Sequence, residues 1–182
     1  DLGKLLETTV QAVLLTDEQV VAAKPRTPNR SMYETLEMLP QAELETFDVY
    51  SETPELLESI CEAKTASSKF YHTALLKSNC RVTSQPDWGD CYIYMKSKKR
   101  VKRMSLLKYL ISFRDECHFH EEICEAVYKR LLDMYQPEDL MVMCLYARRG
   151  GLDINPIRAS DKKLLNRNLT RPEIPHFKTS KQ

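Results

Sequence analysis

The segment LLKSNCRVTSQPDWGD, residues 75–90, contains a cysteine whose neighbours suit nucleophilic chemistry. Cys80 lies between the polar run KSN and Arg81, which favours an exposed thiol and its ionised form. The thiolate is the nucleophilic form of cysteine, and it is a minor species for a free thiol near neutral pH. A single cysteine is more often a small buried apolar residue, so a nucleophile and a core position are both open.

Seven residues later, the same segment supplies a carboxyl group. Asp87 follows Pro86 and precedes Trp88, the one tryptophan of the chain. A carboxyl group packed against an indole ring has a raised pKa and can donate a proton near neutral pH. A β-turn aspartate before Gly89 accounts equally well for the spacing. Cys80 and Asp87 together therefore suggest a nucleophile and a proton donor.

The segment CHFHEEIC, residues 117–124, is dense in possible metal ligands. It has no HExxH or CxxC spacing, and on a helix His118 would not share the face of His120 and Cys124. A zinc site would therefore need ligands from other segments. A polar helix N-terminus and a His–Glu pair that holds a heterocycle by hydrogen bonds are the alternatives. The possible ligands are Cys117, His118, His120, Glu121 and Cys124.

Two further segments concentrate positive charge. KSKKRVKR, residues 96–103, has six basic residues in eight but no interleaved aromatic residue for stacking on bases, which favours a solvated hairpin tip over a nucleic-acid site. ARRGGLDINP, residues 147–156, places two arginines before two glycines. This pattern suits a grip on phosphate groups, with a tight turn carrying exposed charge as the alternative.

Composition excludes several classes of protein. The chain has 182 residues with 27 basic and 26 acidic side chains, so its net charge of +1 does not attract nucleic acid or an acidic membrane. Its longest apolar run, residues 140–147, is too short to span a bilayer, and no signal peptide is visible. Six cysteines without a CxxC pair predict reduced thiols and a cytoplasmic location.

The four glycines, at positions 3, 89, 150 and 151, exclude a GxGxxG fingerprint and a Walker A loop. Both motifs need spaced glycines so that the backbone can approach phosphate closely. Any nucleotide must therefore bind in another geometry.

Hydrophobic periodicity predicts the elements that position these residues. Residues 1–79 give a strand at 8–16, a loop at 25–29 and a helix at 53–63. The rest gives two strands (80–85 and 90–96) around a turn at 86–89, helices at 104–114 and 119–135, and strands at 139–147 and 152–159. This order predicts an α+β fold, an antiparallel β-sheet with two helices packed on one face.

Four motifs in order, LLKSNC, QPDWG, SFR…FHE and RRGGLDINP, closely resemble the NADPH-dependent nitrile reductases of the QueF family over residues 70–158. That family reduces 7-cyano-7-deazaguanine to 7-aminomethyl-7-deazaguanine in queuosine tRNA-modification biosynthesis. The resemblance is to the bimodular branch, which has two tunnelling-fold (T-fold) modules in one chain. It implies a remnant of the first module at 1–70, a catalytic module at 71–160 and a polar tail at 161–182.

The resemblance also implies residue roles. Cys80 attacks the nitrile carbon to form a thioimide, and Asp87 protonates the nitrile nitrogen. His120 and Glu121 hold the deazaguanine base. Arg149 and Gly150 contact NADPH, and no metal is implied.

One family signature is absent. A Glu-Ser-Lys-Ser type run completes the substrate and cofactor contacts in the family, and the chain has KRMSLLKY at 102–109, where the single-module branch carries it. EAKTASSKFY, residues 62–71, is similar in composition but wrongly spaced. The resemblance thus predicts that most of the first module lies outside this chain or that the protein has diverged.

Two alternatives remain at this point. One is a zinc-dependent T-fold enzyme similar to GTP cyclohydrolase, built on Cys80, Cys117, His118 and His120. The other is a module that binds the base without turnover. Exposed sheet edges predict a homo-oligomer. The resemblance implies a small-molecule 7-deazaguanine substrate and no direct nucleic-acid or membrane partner.

Overall fold

The computed structural model describes residues 4, 7, 9 and 32–165, and within it residues 32–164 form part of one compact unit. This unit contains a five-stranded sheet in the order β1-β2-β3-β4-β5. β1 runs parallel to β2, and every other neighbouring pair is antiparallel. The strands are β1 (Glu34–Thr35), β2 (Ser59–Asn79), β3 (Pro86–Val101), β4 (Asp139–Tyr146) and β5 (Ile157–Ala159).

The long β2–β3 hairpin differs from the sequence prediction. Its tip is the segment 80–85, and the predicted turn at 86–89 lies inside β3. The basic run 96–103 is not a hairpin tip, because it forms the end of β3 and the start of a helix. The pairing of β2 with β3 shifts register between Ser59 and Ser67 and again after Thr73. Such irregularities hide the two-residue alternation on which a strand prediction depends.

Two helices were predicted correctly. α1 (Arg103–Ile111) continues into a 3-10 turn at Ser112–Asp115, and α2 spans His120–Tyr135. α2 ends where Gln136 takes a positive φ of 46° and Pro137 follows. Its buried apolar residues recur every four positions, at Ile123, Val127, Leu131 and Tyr135.

Both helices pack on one face of the sheet. Alternate residues of β3 and β4, among them Ile93 and Val142, share a single apolar cluster with Leu107 of α1 and Val127 of α2. The α+β class and the arrangement of an antiparallel sheet with two helices on one face are therefore confirmed. This is the arrangement expected of a tunnelling-fold module.

The part of the chain before residue 80 was predicted less well. The helix expected at 53–63 is a 3-10 turn at Pro54–Leu56 followed by β2. Residue 70, where the module boundary was placed, lies within β2, and the boundary itself stays a prediction. The strand predicted at 8–16 and the loop at 25–29 lie outside the described residues except for Thr9, as does the tail beyond 165. Among the described residues, no helix is long and apolar enough to cross a membrane.

Candidate functional site

The tip of the β2–β3 hairpin positions Cys80. The last ladder pair is Asn79 with Pro86, and the backbone N–H of Cys80 donates to Gln85 O at 2.8 Å. Ser84 returns a hydrogen bond from its N–H to Cys80 O, also at 2.8 Å, and adopts a positive φ of 56°. These bonds fix the cysteine backbone at the end of a six-residue loop, with the thiol only partly covered.

The pKa of the Cys80 thiol is lowered from its usual value. The largest cause is a hydrogen bond with the Thr83 side chain, followed by backbone hydrogen bonds from Thr83 and Val82 and a smaller contribution from the charge of Arg149. The sequence predicted that the polar and basic residues flanking Cys80 would favour its thiolate. Instead Arg81 lies against the start of α2, where its guanidinium is 2.9 Å from Glu122. The loop itself therefore favours the thiolate.

Asp87 is the second residue of β3, opposite Ser78, and is only 2% exposed. Its Oδ1 accepts a hydrogen bond from Nε of Arg149, and its Oδ2 is 3.2 Å from Nε2 of His120. Trp88 is the next residue of the same strand, so its side chain projects from the opposite face of the sheet. The indole ring therefore does not pack against this carboxyl group as the sequence predicted. Its neighbours are the guanidinium group of Arg149 and the imidazole ring of His120.

His120, the first residue of α2, is buried between the helix and the sheet. Its ring stacks on that of Tyr146 with the centroids 3.9 Å apart and an interplanar angle of 6°. Gly89 makes room for this stack, because a Cβ added there would lie 3.0 Å from Cδ1 of Tyr146. Nδ1 of His120 is buried and has no hydrogen-bond partner in the described part of the chain. His120 thus faces Asp87 through Nε2, while Nδ1 keeps an open donor or acceptor position within the described residues.

Sequence reasoning missed Tyr146 and Gly89 as parts of this site. Tyr146 ends an apolar strand and was attributed to the core, and Gly89 was attributed to a turn. The signal that could have found Gly89 is a glycine inside an alternating strand pattern, which often marks a close approach of another group.

The start of α2 is held against the hairpin by backbone bonds. Asn79 donates from its N–H to Glu116 O at 2.8 Å and accepts from the N–H of His118 at 3.1 Å. Glu122 accepts the N–H of Phe119 at 2.8 Å, and this bond is the largest cause of its lowered pKa. These contacts bring the FHE motif to the Cys80 loop. The two residues predicted to bind the base, His120 and Glu121, differ in their exposure to solvent.

Glu121, unlike His120, is exposed, and no contact joins it to Asp87 or Cys80 within the described residues. A carboxylate that reaches solvent at the first turn of a helix can still accept hydrogen bonds from a ligand. The structure thus brings together Cys80, Asp87, His120 and Arg149 and leaves Glu121 at the rim.

Arg149 reaches the site from the loop between β4 and β5. Ala147 donates from its N–H to Trp88 O at 2.8 Å, and a short ladder joins Arg149 to Leu152. The two intervening glycines take positive φ values of 55° and 81°, which glycine adopts without strain. Gly150 is exposed, and a side chain added there would meet no atom within 4 Å in the described structure.

Among residues 4, 7, 9 and 32–165, no three His, Cys, Asp or Glu side chains lie close enough together to hold a metal ion. Cys117 is exposed, and His118 contacts Glu116, Glu122 and Arg81. His120 faces Asp87 instead of these residues. The zinc-dependent alternative therefore has no support in this geometry.

The fold and site together define an α+β protein with an activated thiol in the loop of the β2–β3 hairpin and a buried carboxyl group on the adjoining strand. Arg149 links the two, because it bonds to Asp87 and its charge contributes to the lowered pKa of Cys80. Residues 86–164 match the family model described as "QueF-like protein". The chain is 46% identical over 106 residues to an NADPH-dependent 7-cyano-7-deazaguanine reductase from Psychrobacter cryohalolentis, and 42% identical over 136 residues to a protein of the same name from Legionella pneumophila. The resemblance stated from the four motifs is thereby confirmed.

The matched region is a larger share of this chain than of either relative. The matches span 58% and 74% of this chain but 36% and 46% of the Psychrobacter and Legionella proteins, so the chain spans less than half the length of these relatives. A solved structure of an apo archaeosine synthase QueF-Like is also similar, with a TM-score of 0.47 and 14% identity. It covers 54% of this chain and 96% of that one.

Proposed function

We propose that this protein acts in the NADPH-dependent reduction of the nitrile group of 7-cyano-7-deazaguanine to a primary amine, a step of queuosine tRNA-modification biosynthesis. The observation that carries the proposal is the end of the β2–β3 hairpin, where the loop lowers the pKa of Cys80 and the adjoining strand carries the buried Asp87. The names of the relatives at 42–46% identity support the choice of nitrile and cofactor.

Cys80 is the proposed nucleophile. Its thiolate adds to the nitrile carbon, which forms a carbon–sulfur bond and moves one π-electron pair of the triple bond onto nitrogen. The lowered thiol pKa raises the fraction of thiolate available near neutral pH. The product is a thioimide, whose C=N carbon accepts hydride more readily than the nitrile does.

Asp87 is the proposed proton donor to the nitrile nitrogen. Burial at 2% exposure keeps bulk water away from the carboxyl group, so a proton that it carries passes to a ligand in contact with it. His120 sits 3.2 Å from the other carboxyl oxygen and is the group placed to orient Asp87 or to return a proton to it. After the first hydride addition the carbon–sulfur bond breaks, and the thiolate is regenerated.

His120 and Glu121 are the proposed contacts to the base. The open Nδ1 of His120 offers one hydrogen bond inside the site, and the exposed Glu121 carboxylate suits adjacent N–H donors at the edge of a purine-like ring. In this proposal one base contact lies inside the site and the other at its entrance, as the burial of His120 and the exposure of Glu121 suggest.

Arg149 and Gly150 are the proposed contacts to NADPH, which supplies the hydride for both reductions when it is bound. The exposed, unobstructed backbone at Gly150 fits the close approach of a phosphate or ribose group. The cationic fork of Arg149 fits a phosphate as well, but in this structure it is directed at the hairpin.

The proposal is tested by difference absorbance spectroscopy of the protein with 7-cyano-7-deazaguanine and no NADPH. A new thioimide band is expected for the native chain and for Cys117→Ala, which removes an exposed thiol near the loop, but not for Cys80→Ala. Adding NADPH then separates a reductase, in which the band decays and amine accumulates, from a module that binds the base without turnover. A band that persists in Cys80→Ala would contradict the assignment of the nucleophile.

We also propose a homo-oligomer in the cytoplasm. β2 has 21 residues, and only its residues Tyr71 and His72 pair with β1, so most of its outer edge offers unpaired backbone groups within the described sheet. All six cysteines fall in the described region and are free, which suits a reducing compartment. Sedimentation velocity measures the assembly, and a monomer at micromolar concentration would contradict it.

A further inference from the structure

The guanidinium group of Arg149 is committed to the β2–β3 hairpin. Besides the Nε bond to Asp87, Nη1 donates to Thr83 Oγ1 at 3.5 Å and to Gln85 Oε1 at 3.3 Å. Nη2 donates to the backbone oxygens of Gln85 at 3.3 Å and of Pro86 at 3.5 Å. The five contacts match the five N–H groups of the side chain, and the bond to the buried Asp87 carboxyl group has a charged donor.

The backbone of Arg149 is held as firmly as its side chain. The Ala147–Trp88 hydrogen bond anchors the start of its loop to β3, and the ladder with Leu152 closes the two-glycine turn. Arg148, its neighbour, is directed elsewhere, because its guanidinium makes two hydrogen bonds with Asp153 at 3.1 Å and 2.8 Å. Of the two adjacent arginines, Arg149 therefore binds the hairpin and Arg148 binds Asp153 within its own loop.

We infer that Arg149 is a positioning residue, which spans the hairpin tip and sets both the orientation of Asp87 and the conformation of the loop that activates Cys80. Thr83 links the two effects, because its hydroxyl contacts Arg149 and also forms the largest favourable interaction with the Cys80 thiolate. Contact with a cofactor phosphate through the same fork would require Arg149 to give up bonds to the hairpin. This inference deepens the proposed function and gives Arg149 a role in the protein without nucleotide.

The test is the pH dependence of Cys80 alkylation by iodoacetamide in the absence of substrate and NADPH, read by mass spectrometry on the peptide that contains Cys80. Arg149→Gln is expected to move the profile to higher pH and to slow alkylation at pH 7 by about three- to tenfold, equivalent to roughly half to one pKa unit. Arg148→Gln, the matched control, is expected to leave the profile unchanged. A native profile in folded Arg149→Gln would overturn the inference.

Amide hydrogen exchange provides the second readout. The N–H groups of Cys80 and Ser84, bonded across the loop, are expected to exchange faster in Arg149→Gln. If that variant does not fold, Arg149→Lys replaces it, since lysine keeps the charge beside Asp87 but cannot span the loop. Faster exchange at these two amides is then expected, and native exchange there would refute the positioning role.

These readouts need neither nitrile nor cofactor, so they are independent of the proposed function. Failure of the thioimide assay with a shifted alkylation profile would overturn the substrate and leave the role of Arg149 intact. A normal thioimide band together with native alkylation and exchange in the Arg149 variants would support the substrate and overturn the positioning role of Arg149.

Discussion

At the residue scale, the reactivity of Cys80 depends on hydrogen bonds from its own loop more than on nearby charge. The Thr83 side chain and two backbone N–H groups lower the pKa of the thiol, while the charge of Arg149 contributes least. Hydrogen bonds to the charged form favour that form, because each bond is stronger to a thiolate than to a thiol. The loop thus acts on sulfur in the way that a helix N-terminus acts on other reactive cysteines.

Replacing the Thr83 hydroxyl tests this account. Thr83→Val keeps the shape of the side chain but removes the hydrogen bond, so the pKa of Cys80 is expected to rise and alkylation at pH 7 to slow by about three- to tenfold. Because the native pKa is lowered, the difference between the two proteins should be largest below the ordinary thiol pKa and should vanish well above it. Thr83→Ser retains the hydroxyl and serves as control. Equal alkylation rates for Thr83→Val and the native protein near pH 7 would show that the Thr83 hydroxyl does not lower the pKa of Cys80.

At the element scale, the close packing of β3, β4 and α2 positions the carboxyl group. Gly89 on β3 allows the ring of Tyr146 on β4 to approach, and that ring supports His120 at the first position of α2. His120 in turn contacts Asp87, which lies two residues before Gly89 on the same strand. Three elements therefore meet through one stack of rings.

Gly89→Ala is expected to disturb this stack. The added methyl group would lie 3.0 Å from the Tyr146 ring and 3.1 Å from the backbone oxygen of Leu145, so the ring or strand must shift. Overpacking of this kind costs about 1–3 kcal/mol of unfolding free energy, measurable by urea denaturation. Gly150→Ala meets no steric contact and should affect only its own turn, through its positive φ of 55°. An unchanged His120 imidazole NMR signal in Gly89→Ala would argue against the coupling.

At the scale of the whole molecule, part of the described segment before residue 70 contributes to the core of the sheet and helices. Leu36 is fully buried and Leu57 is 5% exposed, and both join the apolar cluster beneath the helices. Ser105 of α1 also donates to Glu58 O, and Glu58 N–H donates back to the Ser105 hydroxyl at 3.0 Å. Leu36, Leu57 and Glu58 therefore join this segment to α1 and the core.

A fragment that starts at residue 71 is accordingly expected to fold poorly. It lacks Leu36, Leu57 and residues 59–70 of β2, and the loss of each buried leucine costs about 2–5 kcal/mol against a typical stability of about 5–15 kcal/mol. A fragment that starts at residue 32 keeps all of these residues and should unfold cooperatively in urea when followed by circular dichroism. Equal midpoints for the two fragments would mean that the segment is dispensable.

The amino-acid sequence by itself determined the helices α1 and α2, the buried strand β4 and the identity of the reactive motifs. The four-residue apolar spacing of α2 and the continuous apolar run of β4 report local burial, which needs no knowledge of partners. β2 escaped prediction because its register shifts and half-exposed residues break the alternation, and its strand state depends on pairing with β3.

Only the tertiary structure decided what surrounds the reactive groups. Trp88 follows Asp87 in sequence, yet strand geometry sends the two side chains to opposite faces. Arg149, 62 residues away, and His120 come to the carboxyl group because the sheet order brings β4 beside β3 and the packing of α2 brings its first turn to the same edge. Neighbours in sequence establish which chemistry is available, while long-range packing sets the environment in which it operates.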